Sequence, residues 1–392
     1  MSAQTNPADV LTTANQTRAF PLRVAVICDF LEEDWPSMDL VGNMLFDHLR
    51  RDDGTHTQSI RPAMKFRGAK PRRSARLYGR FMQYPRLLRK IAADFDLFHI
   101  VDHSYAHLVH EVPPERAIVT CHDLDTFRCL LDPEREPRSF AFRSMTRRIL
   151  SGLQSAAHVT CDTAATRDAI IRHGLLTPDK LTVVHNGVHP DLSAHPNSAF
   201  DDEISRRLGR KPGACPELLH VGSTISRKRV DVLLHVFAEV RKAQPDARLI
   251  RVGSRFTPQQ EALAAVLGVR EHIDSLDRLD VHLLAACYRR ANVLLQPSEA
   301  EGFGLPVIEA LACGTPVVAS DIPALREVGG DAATYCGVAN ISSWTAAVLR
   351  TLNADEVNRN VTRLCALQQA SQFTWKHYAQ QMLDIYRQVL SS

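Results

Sequence analysis

The sequence predicts an α/β protein of two doubly wound domains, and three observations lead to that fold class. Residues 293–320 are typical of a strand, a glycine loop, a short helix and a second strand. Apolar runs of strand length alternate with amphipathic stretches in both halves of the chain, as in parallel sheets covered by helices. A length of 392 residues is enough for two domains with complete cores.

The unit at residues 293–320 predicts a ligand site in the second half. Pro306 suits the first turn of a helix because its φ is fixed near the helical value and its missing N–H would have no partner there. Gly314 is placed to end that helix. The loop Gly302-Phe303-Gly304 then lies at the carboxyl end of a buried strand, where open α/β sheets bind their ligands.

Two carboxylates in this unit indicate the kind of ligand. Free N–H groups at the helix N-terminus attract an anion such as a phosphate. Glu309, which we expect in the first helical turn, can accept hydrogen bonds from a ribose diol, and Glu301 can reach another part of the same ligand. Together these groups fit a sugar nucleotide. The competing interpretation is that Glu309 only complements the helix dipole and that Glu301 is a solvated loop residue.

The first half is predicted to contain a sheet of its own. Strands are expected at residues 23–28, 97–102, 117–121, 158–162 and 181–184, with helices from Met38 onwards and at residues 143–157. The strand at 117–121 delivers His122 to the loop that follows. A lone histidine in such a place is more often structural than functional.

A basic segment lies between residues 54 and 93, which contain eleven Lys and Arg residues and no acid. Apolar residues recur there at helical spacing, and Pro85 is expected to kink or break that helix. Residues 61–90 can contact an anionic membrane surface or an anionic acceptor. The alternative is that the apolar stripe packs on the sheet and the basic face is solvated.

The second half is predicted to begin after a stretch rich in Pro, Ser, Asp and Gly. Strands are expected at residues 218–221, 248–252 and 273–276, and helices from Val230 and at residues 281–291. Arg227 and Lys228 lie between the first of these strands and its helix. Two cations at a helix start are unfavourable for the dipole unless an anion is bound there, and the alternative is that both are solvated.

Composition and net charge limit the classes of function that the sequence is compatible with. A content of 45% hydrophobic and 23% charged residues is ordinary for a globular protein, and a net charge of +3 gives no reason to expect a nucleic-acid partner. Nine scattered cysteines without CxxC spacing indicate reduced thiols. No apolar run approaches the length of a membrane span. We therefore expect a cytoplasmic protein, with peripheral contact at the inner face of the membrane through the basic segment.

Four motifs carry a family resemblance. SEAEGFGLPVIEALACGTPVVAS, with seven residues between Glu301 and Glu309, resembles the E-x7-E signature of the retaining family 4 glycosyltransferases, which belong to the glycosyl transferases group 1. HVGSTISRKRVDVLL is similar to the Gly…Arg-Lys phosphate clamp of that family, VTCHDL to its strand ending in His-Asp, and VVHNGVHP to the segment before its interdomain linker.

The resemblance implies the GT-B arrangement, in which two Rossmann-like domains face each other across a cleft. It also implies transfer of a sugar from a nucleoside diphosphate sugar to an acceptor hydroxyl with retention of configuration, the leaving phosphate helping to deprotonate the acceptor. The residues expected to act in catalysis are His122, Arg227, Lys228 and Glu301. Those expected to bind the donor are Gly222, Arg227, Lys228, Ser298, Glu301, Gly302, Phe303, Gly304, Leu305 and Glu309.

Several expectations about partners follow. The acceptor would be a glycan, a lipid-linked or a small molecule. No DxD-type motif stands in a suitable loop, so we expect no metal cofactor, with Arg227 and Lys228 doing the charge work of a metal. The alternatives are a GT-B-like protein that binds a nucleotide sugar without turnover, a sugar-nucleotide epimerase of related fold, and a phosphorylase.

The predicted domain limits complete the description. Residues 1–20 are expected to form a disordered tail, 21–195 the acceptor-side domain, 196–216 a linker and 217–371 the nucleotide-sugar-binding domain. The aromatic-rich segment at residues 372–392 is expected to form a helix that packs back on the first domain, as the resemblance implies.

Overall fold

The computed structural model describes residues 21–66, 68 and 71–391, and it confirms the predicted fold class: two six-stranded parallel sheets, each with helices on both faces. The first sheet has the order β2-β1-β3-β4-β5-β6 and the second the order β12-β11-β10-β7-β8-β9. The strands are Leu22–Ile27 (β1), Thr55–Ile60 (β2), Leu97–Ile100 (β3), Ala117–Cys121 (β4), His158–Cys161 (β5), Leu181–Val183 (β6), Glu217–Gly222 (β7), Arg248–Gly253 (β8), Ile273–Leu276 (β9), Val293–Gln296 (β10), Val317–Ser320 (β11) and Ala333–Cys336 (β12).

Helices cover both sheets. They are Pro36–Leu49 (α1), Arg73–Tyr78 (α2), Tyr84–Ile91 (α3), Arg128–Leu131 (α4), Phe140–Ser155 (α5), Ala164–Arg172 (α6), Ser198–Leu208 (α7), Val230–Ala243 (α8), Pro258–Val266 (α9), Val281–Arg290 (α10), Leu305–Ala312 (α11), Pro323–Gly329 (α12), Ile341–Leu352 (α13), Glu356–Ala370 (α14) and Trp375–Ser391 (α15). Among the described residues no helix is long and apolar enough to cross a membrane.

Two strands, β2 and β12, were not predicted, and both form the outer edge of a sheet. The β2 sequence THTQSI alternates between half-buried and exposed positions, and only its last residue is buried. Likewise, only the last residue of β12 (ATYC) is buried. An edge strand covered on one side needs no continuous apolar run, so neither segment carries the pattern that marks the central strands.

The basic segment is partly folded into the N-terminal domain. Pro85 was expected to kink or break the helix, but the chain stays helical from Arg73 to Ile91. A π-helical turn at Gly79–Gln83 lies just before Pro85 and accommodates the distortion. Arg61 lies 3.3 Å from Asp39, and Arg80 stacks 4.0 Å above the Tyr105 ring, so both cations are mostly withdrawn from solvent. Arg67, Lys70 and the expected tail at residues 1–20 lie outside the described residues.

Two further segments connect to the sheets. Helix α7, inside the expected linker, packs on α10 and buries Ile204 in the C-terminal core. Helix α15 packs on α1 and on the first sheet, where Trp375 and Tyr378 join a buried cluster with Val24. At the far end of α15 the Tyr386 hydroxyl lies 2.6 Å from His99 Nδ1, and His99 Nε2 lies 2.8 Å from Thr120 Oγ1.

We predict that Tyr386→Phe lowers the free energy of unfolding by about 1–3 kcal/mol, because it leaves a fully buried imidazole nitrogen of His99 without a partner. Urea denaturation followed by circular dichroism measures this. Tyr78→Phe makes the same chemical change at an exposed position and serves as the control. Equal stability of the two variants would show that the hydrogen bond between α15 and β3 contributes nothing.

Candidate active site

Glu301 occupies the centre of the site, in the loop between β10 and α11. Lys228 Nζ donates to its Oε1 over 2.6 Å, and Arg227 Nη1 donates to its Oε2 over 3.0 Å. Gln296 Nε2 and Ser298 Oγ also donate to Oε1, over 2.6 and 2.7 Å. Burial alone would raise the pKa of Glu301, but the two cations and these hydrogen bonds lower it to about 2. Glu301 is therefore ionised at neutral pH.

The two cations are carried by a short turn ahead of α8. The next residue, Arg229, has a φ of 47°, a conformation that is unfavourable for a residue with a side chain. Its guanidinium is held 2.8 Å from Asp231 Oδ2 and 3.4 Å from Glu299 Oε2. These ion pairs fix the turn that directs Arg227 and Lys228 at Glu301.

The glycine loop contributes backbone rather than side chains. A Cβ on Gly302 would lie 2.0 Å from the carbonyl oxygen of His122, so only glycine fits at this contact between the two domains. Gly304 has a φ of 97° at the N-cap of α11. The Phe303 ring packs 5.8 Å from that of Phe373 in the C-terminal core. The part of this loop that a ligand can contact is therefore the backbone at the start of α11.

Glu309 is the fifth residue of α11 and lies in its second turn, so the expectation that it lies in the first turn is wrong. Its Oε2 accepts a hydrogen bond from the Tyr288 hydroxyl over 2.7 Å. Burial raises the pKa of Glu309, and the hydrogen bond from Tyr288 opposes that effect. Among the described residues no side chain donates to Oε1, so this oxygen is free to accept from a hydroxyl of a ligand.

His122 lies on the opposite wall, with both ring nitrogens bonded inside the N-terminal domain. Nδ1 lies 2.7 Å from Asp162 Oδ2, and Nε2 lies 2.7 Å from the carbonyl oxygen of Val101. Burial disfavours a charged imidazole, but the Asp162 carboxylate outweighs it and raises the pKa of His122 to about 10. His122 is therefore an imidazolium that donates both of its protons to the protein.

Five polar contacts join the domains around the site. Arg227 Nε lies 2.7 Å from Asp125 Oδ2, and Arg227 Nη2 lies 3.7 Å from Asp123 Oδ2. Thr163 Oγ1 donates to the carbonyl oxygen of Gly302 over 2.8 Å. Glu327 on α12 accepts from the Ala164 N–H at the start of α6 over 2.8 Å, and the same carboxylate lies 2.7 Å from His185 Nε2.

The structure brings most of the predicted residues together but gives some of them other neighbours. Glu301, Arg227, Lys228 and Ser298 form one cluster, while Glu309 lies apart from it with Tyr288. The residues that sequence reasoning missed are Asp123, Asp125, Asp162, Tyr288 and Gln296. Asp162 ends the strand next to that of His122, a signal that could have been used. Among the described residues no three His, Cys, Asp or Glu side chains are grouped so as to hold a metal ion.

Comparison with known families gives two matches that together cover most of the chain. The family model "Glycosyltransferase Family 4" matches residues 45–192, and the model "Glycosyl transferases group 1" matches residues 201–364. The O-antigen chain mannosyltransferase B of Escherichia coli is 29% identical over 280 residues, covering 70% of each chain. A D-inositol 3-phosphate glycosyltransferase of Jonesia denitrificans is 34% identical over 221 residues, which are 53% of this chain and 51% of that relative.

Solved structures share the fold at low sequence identity. The sucrose-phosphate synthase of Thermosynechococcus elongatus has a TM-score of 0.76 at 20% identity, covering 94% of this chain and 99% of its own. Anabaena Alr3699/HepE, solved in complex with UDP and glucose, has a TM-score of 0.72 at 16% identity, covering 94% of this chain and 100% of its own. At these identities the likeness establishes the two-domain fold alone.

The His122–Asp162 pair predicts how stability depends on pH. Because the folded state raises the pKa of His122 from about 6.5 to about 10, the stabilisation is complete below pH 6.5 and is lost as the pH rises through 10. Asp162→Asn should therefore lower the free energy of unfolding at pH 7 by about 3 kcal/mol or more, since it leaves a buried imidazolium without its counter-charge.

Urea denaturation at several pH values measures this effect, and ¹⁵N NMR of the imidazole reports its protonation. Asp168→Asn is the control, because Asp168 is an exposed carboxylate that pairs only with its neighbour Arg167. A neutral His122 at pH 8 in the unsubstituted protein would contradict the assignment.

Proposed function

Because the chain belongs to the GT-B glycosyltransferases of group 1 and family 4, we propose that it transfers a hexose from a nucleoside diphosphate sugar to an acceptor hydroxyl, with retention of configuration and without a metal ion. The observation that carries the proposal is the cluster of Arg227, Lys228 and Glu301 beside the glycine loop at the start of α11. Two fixed cations next to free backbone N–H groups suit a diphosphate.

Each residue of the cluster then has a role. Arg227 and Lys228 bind the diphosphate and stabilise the charge that develops on it as the bond to the sugar breaks. Once the phosphate has engaged these cations, the Glu301 carboxylate is free to accept from hydroxyls of the donor sugar. Glu309 accepts from the ribose through Oε1, held in orientation by Tyr288. His122 stands on the sugar side of the opposite wall as a fixed positive charge.

The acceptor hydroxyl would approach from the N-terminal domain. Neither Glu301 nor His122 is placed as a base for it, since Gln296, Ser298 and the hydroxyls of the donor sugar then occupy the carboxylate and both imidazole protons are bound. The leaving phosphate is then the group that accepts the acceptor's proton on the same face, which gives retention. The mannosyltransferase among the relatives, and glucose with UDP in the Anabaena protein, support a hexose donor.

We predict slow hydrolysis of one donor when the purified protein is incubated with UDP-, GDP- and ADP-sugars without acceptor, followed by proton NMR. Lys228→Ala should reduce kcat/KM about 10²–10³-fold, because it removes a charge that stabilises the leaving group. Glu309→Ala should mainly raise KM for the donor.

The first anomer released should have the configuration of the donor, and EDTA should leave the rate unchanged.

Lys242→Ala is the matched control, since Lys242 lies on the exposed side of α8 and pairs with Glu239. Interconversion of donor epimers without acceptor would support the epimerase instead, and turnover only with inorganic phosphate the phosphorylase. Nucleotide binding without turnover, with or without a panel of acceptors, would indicate the non-catalytic binding protein. An inverted first anomer would overturn retention alone.

A second proposal concerns the membrane, which would hold a lipid-linked acceptor. On the helical segment Arg73–Ile91 the apolar Tyr84 and Leu88 are buried, whereas Tyr78 and Met82 are exposed. The exposed cations around them are Arg72, Arg73, Arg76, Arg86, Arg89 and Lys90. We propose that this face contacts an anionic membrane surface, with its aromatic and apolar side chains at the headgroup level.

The triple variant Arg72→Glu, Arg73→Glu and Arg76→Glu should no longer cosediment with phosphatidylglycerol vesicles. Each charge removed should weaken the free energy of membrane binding by about 1 kcal/mol. Binding by the unsubstituted protein should weaken as salt is added. The control reverses Lys242, Arg255 and Arg387, which are exposed elsewhere. Equal binding by both triple variants would show that the helix is a solvated surface.

A further inference from the structure

Arg251, on β8, is a fully buried cation for which the described residues supply no carboxylate. Its side chain is 1% exposed, and among the described residues it forms no ion pair. Nη1 donates to the carbonyl oxygen of Val252 over 2.5 Å and Nη2 to that of Ser223 over 3.2 Å, while Nε has no partner. Burial lowers the pKa of Arg251 to about 10, so the guanidinium is still charged at neutral pH.

His220, on β7, is the cross-strand neighbour of Arg251. The two residues are paired in register in adjacent parallel strands, so their side chains project from the same face of the sheet. The His220 side chain is fully buried, and neither ring nitrogen has a hydrogen-bond partner in the part of the chain that the structure describes. Burial, together with the nearby charges of Arg251 and Lys228, holds the pKa of His220 well below its usual range. The neutral ring leaves one N–H donor unused.

This pair lies against the loop that begins at Gly222 and leads to Arg227 and Lys228. A Cβ on Gly222 would lie 3.7 Å from His220 Cε1 and 3.9 Å from Lys228 Cε, so the imidazole and the lysine flank the same backbone position. The Arg251 guanidinium is bonded to the carbonyl oxygen of Ser223, the next residue along the chain. The loop that begins at Gly222 therefore has Arg251 and His220 below it and Lys228 beside it.

The charges on this side of the cleft do not balance. Arg227, Lys228 and Arg251 are three cations, and among the described residues of the C-terminal domain Glu301 is the one carboxylate that pairs with any of them, namely with Arg227 and Lys228. The other acids near Arg227, Asp123 and Asp125, belong to the opposite domain. A buried cation without a counter-charge is unfavourable. Because the hydrogen-bond donors around it are also unused, the ligand that suits this place is an anion. A diphosphate over the loop supplies two or more negative charges.

We infer that Arg251 and His220 extend the donor site into an anion subsite that takes the phosphate groups of a nucleoside diphosphate. The inference rests on the proposed function and adds to it two residues that were not predicted to bind the donor. Arg251 acts as a positioning residue: it holds the Ser223 carbonyl, and so the loop, and it places a positive charge behind the phosphates. His220 offers a hydrogen-bond donor at the same place.

The test compares ligands with and without phosphate. Isothermal titration of the full chain with UDP, GDP, ADP and inorganic pyrophosphate identifies which of them bind, and the matching nucleoside serves as the ligand without phosphate. Arg251→Met should raise the Kd for the nucleoside diphosphate and for pyrophosphate about tenfold or more, and leave the Kd for the nucleoside unchanged. Arg251→Lys, which keeps the charge but cannot reproduce the planar contact with Ser223, should give an intermediate Kd and remains usable if the methionine variant fails to fold.

Arg248→Met is the matched control, because Arg248 lies at the other end of the same strand and pairs with Asp274 over 2.8 Å. The inference is overturned if Arg251→Met binds the nucleoside diphosphate as tightly as this control does. It is also overturned if nucleoside and nucleotide binding fall by the same factor, since the loss of a phosphate subsite must weaken only the ligands that carry phosphate. Failure of the unsubstituted protein to bind any of the four ligands would overturn the proposed function itself.

Discussion

The structure depends on the balance of charge around one buried carboxylate, Glu301. Arg227 and Lys228 are largely removed from water, and cations in such a place are stable only with a counter-charge. Glu301 serves both of them, and Asp125 reaches Arg227 from the other domain. An anionic ligand must compete with these carboxylates for the same cations. Its binding energy is therefore the difference between two sets of ion pairs, and its arrival releases Glu301 for contacts with the uncharged part of the ligand.

The same contacts make ligand binding and domain position interdependent. Arg227 binds carboxylates of the N-terminal domain, and Gly302 lies against the His122 backbone while its carbonyl accepts from Thr163. Any movement that opens the cleft alters the groups that hold Arg227, Lys228 and the glycine loop. Thermodynamic linkage then requires that a ligand of these groups change the equilibrium between open and closed arrangements.

The sequence predicts the central strands, the βαβ unit and the Arg227–Lys228–Glu301 group, because buried parallel strands are continuous apolar runs and their carboxyl ends must meet at one edge. The edge strands β2 and β12 are not predicted in this way, because they are covered on one side only. The sequence pattern does not predict side-chain partners either. That His122 is charged depends on Asp162, which follows the neighbouring strand β5, forty residues away. That Arg251 has no carboxylate partner among the described residues depends on everything packed around it. Periodicity gives the position of a residue, whereas three-dimensional packing decides its protonation and its neighbours.

The last helix of the chain completes the first domain, and this has a consequence for biosynthesis. Trp375, Tyr378 and Tyr386 cover one face of the N-terminal sheet, packing with Val24 and bonding to His99. While the polypeptide is emerging from the ribosome, the part of that apolar face beside α15 stays uncovered until residues 375–386 have been made. Until then the N-terminal half is incompletely folded and exposes apolar surface. Such a species is prone to aggregation and is bound by chaperones. A ribosome that stalls in the second half would release a domain that has its strands but lacks part of its core.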